Sequence, residues 1–360
     1  MTTYSTVFSS DLPEHGLDAI VVPTNRSSEH LSYAIALACT THAFLLVLCS
    51  GRASAADTAN SMNASGVRGL AVDVPAQYQH PLLLGFETDD FFDATLGRTK
   101  NDISLKRNLG LLVGRMAGWS NLLFLDDDIT DIVGMNGMIS RLAHELATGF
   151  LVSKFPDNSV VRHAERLSGI EPGVKLGGGA LLVDVAHTSA FFPRIYNEDW
   201  FFLCGMGSSA AGPAVGAASQ KPYDPFVTPS RARSEEFGDL LAEGILRLTK
   251  NGFDHLRTSV SDWRQLLAER KLLIENIRTR LEDQGSIEQA YMATRSLIAA
   301  EVRLHGLTPQ TCVAYIAAWQ RDLDTFRERL ALLPRQKASV AQIVESAGLR
   351  RSRPMLVTNK

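Results

Sequence analysis

The chain has 360 residues, 45% hydrophobic and 21% charged, with a net charge of −3. This profile suits one large globular domain or a domain with an annex. So balanced a charge gives no general attraction to DNA, RNA or anionic lipid, and no apolar run approaches the roughly 20 residues of a membrane span. Met1-Thr2-Thr3-Tyr4 shows no basic segment leading into an apolar core. Cys39, Cys49, Cys204 and Cys312 are widely spaced with no CxxC pair. Reduced core thiols and a cytoplasmic location are therefore expected.

Residues 19–22 predict a first strand, followed by Pro23-Thr24-Asn25-Arg26-Ser27-Ser28, a polar loop rich in helix-capping residues. Residues 29–39 carry apolar side chains at helical spacing, and 44–48 form a second buried strand ended by Ser50-Gly51. A small-residue helix over 53–63 and a strand over 69–74 follow. Residues 104–116 predict a helix, with Asn101 and Asp102 as its caps, leading to a strand at 121–126. Gly177-Gly178-Gly179 introduces another strand over 180–185. This alternation is the signature of a layered α/β domain. From about Ser234 the texture changes to helical periodicity rich in Arg, Glu and Leu, over 235–249, 260–281, 287–304 and 311–332. The expected organisation is an α/β domain over 1–233, a helical annex over 234–349 packed on it and available for self-association, and a flexible basic tail over 350–360.

The stretch Leu122-Leu123-Phe124-Leu125-Asp126-Asp127-Asp128-Ile129 carries the strongest chemical signal. Three carboxylates at the mouth of a buried strand repel one another and lose solvation unless they share a cation. Oxygen ligands of this kind suit Mg²⁺ or Mn²⁺ held jointly with a substrate phosphate. In an extended segment residues two apart face the same side, so Asp126 and Asp128 should meet one ligand while Asp127 points away. An acidic turn capping the next segment is the plainer alternative. Pro23-Thr24-Asn25-Arg26 lies at the carboxyl edge of the first strand, where open α/β sheets bind ligands; a capping loop with a solvated arginine fits it equally. Asn197-Glu198-Asp199-Trp200 sets two carboxylates beside Trp200, Phe201 and Phe202. Apolar surroundings raise a carboxyl pKa and suit base chemistry, although the same residues can simply cap a helix starting at Trp200. The glycine triplet lacks the lysine of a phosphate loop, which excludes an ATPase reading. Lys154, Asp157 and Asn158 read as a surface turn.

With Lys106-Arg107-Asn108-Leu109-Gly110-Leu111 ahead of the acidic strand, these segments resemble, in order, nucleotide-sugar-dependent glycosyltransferases of the GT-A fold. The likeness is to the large family-2 group and the related glycerate-sugar synthases, over roughly residues 15–205. It implies a Rossmann-like α/β domain with a mixed central sheet flanked by helices, here with a C-terminal helical extension. It also implies that Pro23, Thr24, Asn25 and Arg26 hold the nucleobase and that Arg107 meets base or diphosphate. Asp126 would lie near ribose or metal, Asp128 would bind Mn²⁺ or Mg²⁺, and Asp127 would join the donor-binding residues. Asp199 is the first choice of general base and Glu198 the second. Some relatives add a histidine ligand, for which His187 and His255 are available. Cys49-Ser50-Gly51-Arg52 stands where many relatives place an acid against uracil, so the donor base stays open. No Gln-x-x-Arg-Trp segment is present, which argues against a polysaccharide synthase.

The implied activity is transfer of one sugar from a nucleoside diphosphate sugar to a small or soluble acceptor, with inversion. A retaining enzyme of the same fold, a nucleotidyltransferase and a non-catalytic nucleotide-binding relative are the alternatives. The glycine-poor loop after the first strand counts against the nucleotidyltransferase.

Overall fold

The structure, a computed structural model, describes residues 16–95, 102–153, 158–172, 177–207, 216–250, 258–283, 288–333 and 337–351. Its strands are β1 Ala19–Thr24, β2 Phe44–Cys49, β3 Gly69–Asp73, β4 Asn121–Leu125, β5 Ile129–Val133, β6 Ala147–Gly149, β7 Leu151–Ser153, β8 Ala180–Asp184, β9 Ala217–Gln220 and β10 Arg350–Arg351. The helices are α1 Ser32–Thr41, α2 Ala55–Ala64, α3 Glu87–Thr95, α4 Ile103–Ala117, α5 Met135–Arg141, α6 Val160–Leu167, α7 Glu198–Gly205, α8 Pro229–Lys250, α9 Val260–Asp283, α10 Glu288–His305, α11 Pro309–Ala331 and α12 Val340–Ser346.

Seven strands form one sheet in the order β10-β3-β2-β1-β4-β8-β6, and β5-β9-β7 form a second. The run β3-β2-β1-β4 is parallel, whereas β8 lies antiparallel to both β4 and β6. The architecture is α/β with a mixed sheet flanked by helices, compatible with a Rossmann-like fold. The near-continuous apolar sequences of β1, β2 and β4 follow from burial on both faces. From β1 the chain steps outward through β2 and β3, then returns to place β4 on the other flank of β1. The switch in strand order therefore falls between β1 and β4, where open sheets of this kind leave a crevice at their carboxyl ends.

Local pairing widens that crevice. The β1–β4 ladder ends at Val21↔Phe124, while β1 stays paired with β2 to Thr24↔Cys49. Pro23 and Thr24 thus belong to β1 and not to the loop expected from sequence. Proline has no N–H to donate, and it stands just where the ladder to β4 has already ended.

The C-terminal helices share the core of the sheet. Phe201 meets the rings of Tyr315 and Trp319 edge-on, and Phe191 packs on Phe326. Helix α11 also packs on α3, and α12 on α4. Arg350 and Arg351, expected in a flexible tail, instead pair as β10 with Val72 and Asp73 on the open edge of β3. The backbone groups of that edge supply the reason, and residues 352–360 lie outside the described residues. Among the described residues, no helix is long and apolar enough to cross a membrane.

Candidate functional site at the carboxyl ends of β1 and β4

Asp126, Asp127 and Asp128 do not continue β4 as an extended segment. The Ile129 N–H bonds the Asp126 carbonyl at 3.2 Å, closing a turn between β4 and β5. The turn undoes the alternation expected from sequence: Asp127 joins Asp128, and Asp126 turns elsewhere. A single guanidinium nitrogen, Arg26 Nη2, lies 2.8 Å from both Asp127 Oδ1 and Asp128 Oδ2. The Thr24 hydroxyl holds the other oxygen of Asp127 at 2.5 Å. Burial raises the Asp127 pKa, against the pull of Thr24 and Arg26. Gln220, opposite Ile129 on β9, donates from Nε2 to Asp128 Oδ2 at 3.3 Å, and its Oε1 is buried with no partner among the described residues. Pro23 is buried inside β1, so Asn25 and Arg26 form the accessible part of the expected base-binding loop. Lys106 pins the crevice from behind: Nζ donates to the Thr24 carbonyl at 2.8 Å and to Ser50 Oγ at 2.6 Å, and pairs with Asp102 at 3.0 Å.

Asp126 faces Arg107 instead. That guanidinium, almost fully buried, reaches Asp126 Oδ1 at 2.9 Å, Glu198 Oε1 at 2.7 Å and the Gly178 carbonyl at 3.0 Å. Its Nε–H has no partner among the described residues. Burial pushes the Asp126 carboxyl up to about 6 despite Arg107, although 21% of the side chain stays exposed. Glu198 and Asp199 open α7, and Asn197 before them adopts the left-handed conformation at φ 62°. Burial raises the pKa of both acids, and Arg107 opposes the shift in both. Asp199 is held by the backbone N–H groups of Trp200, Gly178 and its own residue, and Glu198 by its own alone. A Cβ on Gly178 would lie 2.7 Å from Asp199 Oδ2 and 2.8 Å from Arg107 Nη1, so only glycine lets this backbone approach so closely.

Beneath Arg107 lies the Phe192 ring, 5.7 Å from the guanidinium carbon and stacked on Phe202 at 4.1 Å. Asn108 fixes it: the amide donates to the Phe192 carbonyl and accepts from its N–H, both at 2.8 Å.

These groups border a cavity of about 130 Å³. Arg107, Asp126, Gly178, Glu198 and Asp199 line it, joined by Asn158, Ser159, Arg162, Tyr196 and Asp239. Asn158, read from sequence as part of a surface turn, is buried here because Ser159 starts α6 against α8; Lys154 and Asp157 lie outside the described residues. Asp239 on α8 accepts from Ser159 Oγ at 2.6 Å, Arg270 Nη2 at 2.6 Å and Asn197 Nδ2 at 3.1 Å. The helical layer thereby grips the residue that precedes the two acids.

Among the described residues, no three acid, imidazole or thiol groups converge as a metal site. His187 pairs with Asp184 at the far end of β8 from the acidic turn, and His255 lies outside the described residues. Asp127 and Asp128 nonetheless already share the Arg26 guanidinium, and their oxygens, with the amide oxygen of Gln220, are hard donors of the kind that suits Mg²⁺ or Mn²⁺.

The chain matches no protein-family model and no curated protein.

Proposed function

We propose that this chain is a metal-dependent glycosyltransferase of the GT-A type, moving one sugar from a nucleoside diphosphate sugar to a small or soluble acceptor with inversion. One observation carries the reading. The switch between β1 and β4 brings Thr24, Arg26 and the acidic turn to one crevice, and Arg107 from α4 stands beside it with Glu198 and Asp199 from α7. A bound Mn²⁺ or Mg²⁺ at Asp127 and Asp128 would neutralise the departing diphosphate. Arg107 offers its spare N–H and its charge to the reacting end of the donor. A pocket for a whole ligand runs about 300–1,000 Å³, so the cavity beside Asp199 takes the sugar or the attacking group alone.

Asp199 accepts the proton of the acceptor hydroxyl as that oxygen bonds to the anomeric carbon and the carbon–diphosphate bond breaks. Burial makes its carboxylate a stronger base than an exposed aspartate. The helix N-terminus at α7 and the backbone donors keep it oriented. The test is a thermal-shift screen of UDP, GDP, CDP and dTDP with and without Mn²⁺. Stabilisation by one diphosphate that requires the metal is expected and names the donor base; no shift with any of the four refutes the reading.

A further inference from the structure

We infer that Arg26 is a built-in counter-cation, closing the Asp127–Asp128 pair until a divalent ion displaces it and then turning to the diphosphate. The inference rests on the donor site proposed above and adds its regulation. Two independent observations point to a cation position at this turn. First, one guanidinium nitrogen bridges both carboxylates at 2.8 Å, a place where a second positive charge cannot also sit. Second, Gln220, only 9% exposed, touches Asp128 with its amide nitrogen while its buried Oε1 has no partner among the described residues. A buried unpaired amide oxygen is costly, and an oxygen on the amide that touches Asp128 is of the kind a hard cation accepts as a further ligand.

The exchange is sterically open. Arg26 lies just beyond β1, its side chain is 34% exposed, and its own N–H is tied to Thr24 Oγ1 at 3.1 Å. The side chain can therefore swing while its backbone stays anchored. The acids are less free, since Thr24 holds Asp127 and β9 flanks Asp128. Once released, the guanidinium remains at the mouth of the crevice and matches a phosphate through paired N–H groups. Arg26 would thus oppose the metal alone yet favour the metal with its diphosphate.

Isothermal titration separates the two effects. Mn²⁺ alone, and then each of UDP, GDP, CDP and dTDP in saturating Mn²⁺, is titrated into wild type, Arg26→Ala, Arg26→Gln and Arg52→Ala, with folding checked by circular dichroism. If Arg26 occupies the acids about nine-tenths of the time, its removal tightens Mn²⁺ alone roughly tenfold. Both Arg26 variants should show this while binding the preferred diphosphate more weakly than wild type. Arg52, whose N–H bonds the Asn25 carbonyl, removes an equal charge from the adjoining loop and should reproduce neither effect. Unchanged or weaker Mn²⁺ binding in both Arg26 variants, with metal-dependent diphosphate binding intact in wild type, overturns the exchange and leaves the donor site standing. An equal gain in Arg52→Ala also overturns it, because net charge alone would then explain the result. If wild type binds no diphosphate with Mn²⁺, the donor reading falls and the inference falls with it.

Discussion

Replacing Asn108 by leucine tests whether the platform under Arg107 is held as described. The amide makes two buried hydrogen bonds to Phe192, whose ring stacks on Phe202 and meets Phe124 edge-on. Leucine removes both partners and strands a buried N–H and a buried carbonyl. Each orphan costs about 1–3 kcal/mol. Against this, leucine is the better helix former by roughly 0.5 kcal/mol, and its apolar contacts in α4 add a comparable gain. Hydrogen-bond loss wins, with a net cost of about 1–5 kcal/mol, centred near 3, against a typical total of about 5–15 kcal/mol. Urea unfolding followed by far-UV circular dichroism should show the midpoint falling by roughly 1 M at an m-value of about 2–3 kcal/mol/M. A midpoint within roughly 0.2 M of wild type would mean that the Phe192 backbone finds other partners, and the account of the platform would be wrong.

Three further outcomes follow from the same geometry. Asp199→Asn should lower turnover roughly 10²–10⁴-fold while Mn²⁺-dependent diphosphate affinity persists; near-wild-type turnover would point to a retaining mechanism or to Glu198. Gly178→Ala should cost about 1–3 kcal/mol and displace Asp199, lowering turnover roughly 100-fold, so unaltered kinetics would show that the close approach is not needed. His163, buried beside Tyr223, is pushed from 6.5 down to about 4 by burial, with Arg231 and Arg166 adding to the shift. The unfolded chain binds that proton first as pH falls, so the stability due to neutral His163 is present above about 6.5 and is lost toward pH 4. The loss reaches about 3 kcal/mol, and His163→Gln should flatten that part of the stability–pH curve.

The layered α/β part was legible because its buried strands leave apolar runs four to six residues long, and α8–α11 because their periodicity lasts for five or six turns. The strands β5, β7 and β9 were not seen: they have three to five residues each, and their pairing joins segments that are distant in sequence. At the acidic triplet the structure takes the turn, the plainer alternative, and not the extended segment: the Ile129 N–H bonds the Asp126 carbonyl where β5 leaves to pair with β9, a partner about ninety positions on. Arg107, Asp126 and Asp199 could be singled out by type and order. Asp239, Arg162 and Gln220 could not, since each looks like an ordinary polar residue until folding brings partners from 42 to 92 positions away. A polar residue facing inward on an otherwise amphipathic helix, as Asp239 does on α8, was the one local clue.

The strand β10 has a consequence for how the chain is made. Edge strands expose unpaired backbone groups that template association with other chains, and β3 is such an edge until Arg350 and Arg351 arrive. Those residues leave the ribosome about 280 positions after β3, an interval of roughly 15–55 s at 5–20 residues per second. Throughout that time the nascent sheet is open on one side, and its closure waits for that segment. A stop codon placed shortly before residue 350 would produce a chain with every side chain of the candidate site and a permanently open edge, and its first symptom should be self-association in the test tube, ahead of any change at that site.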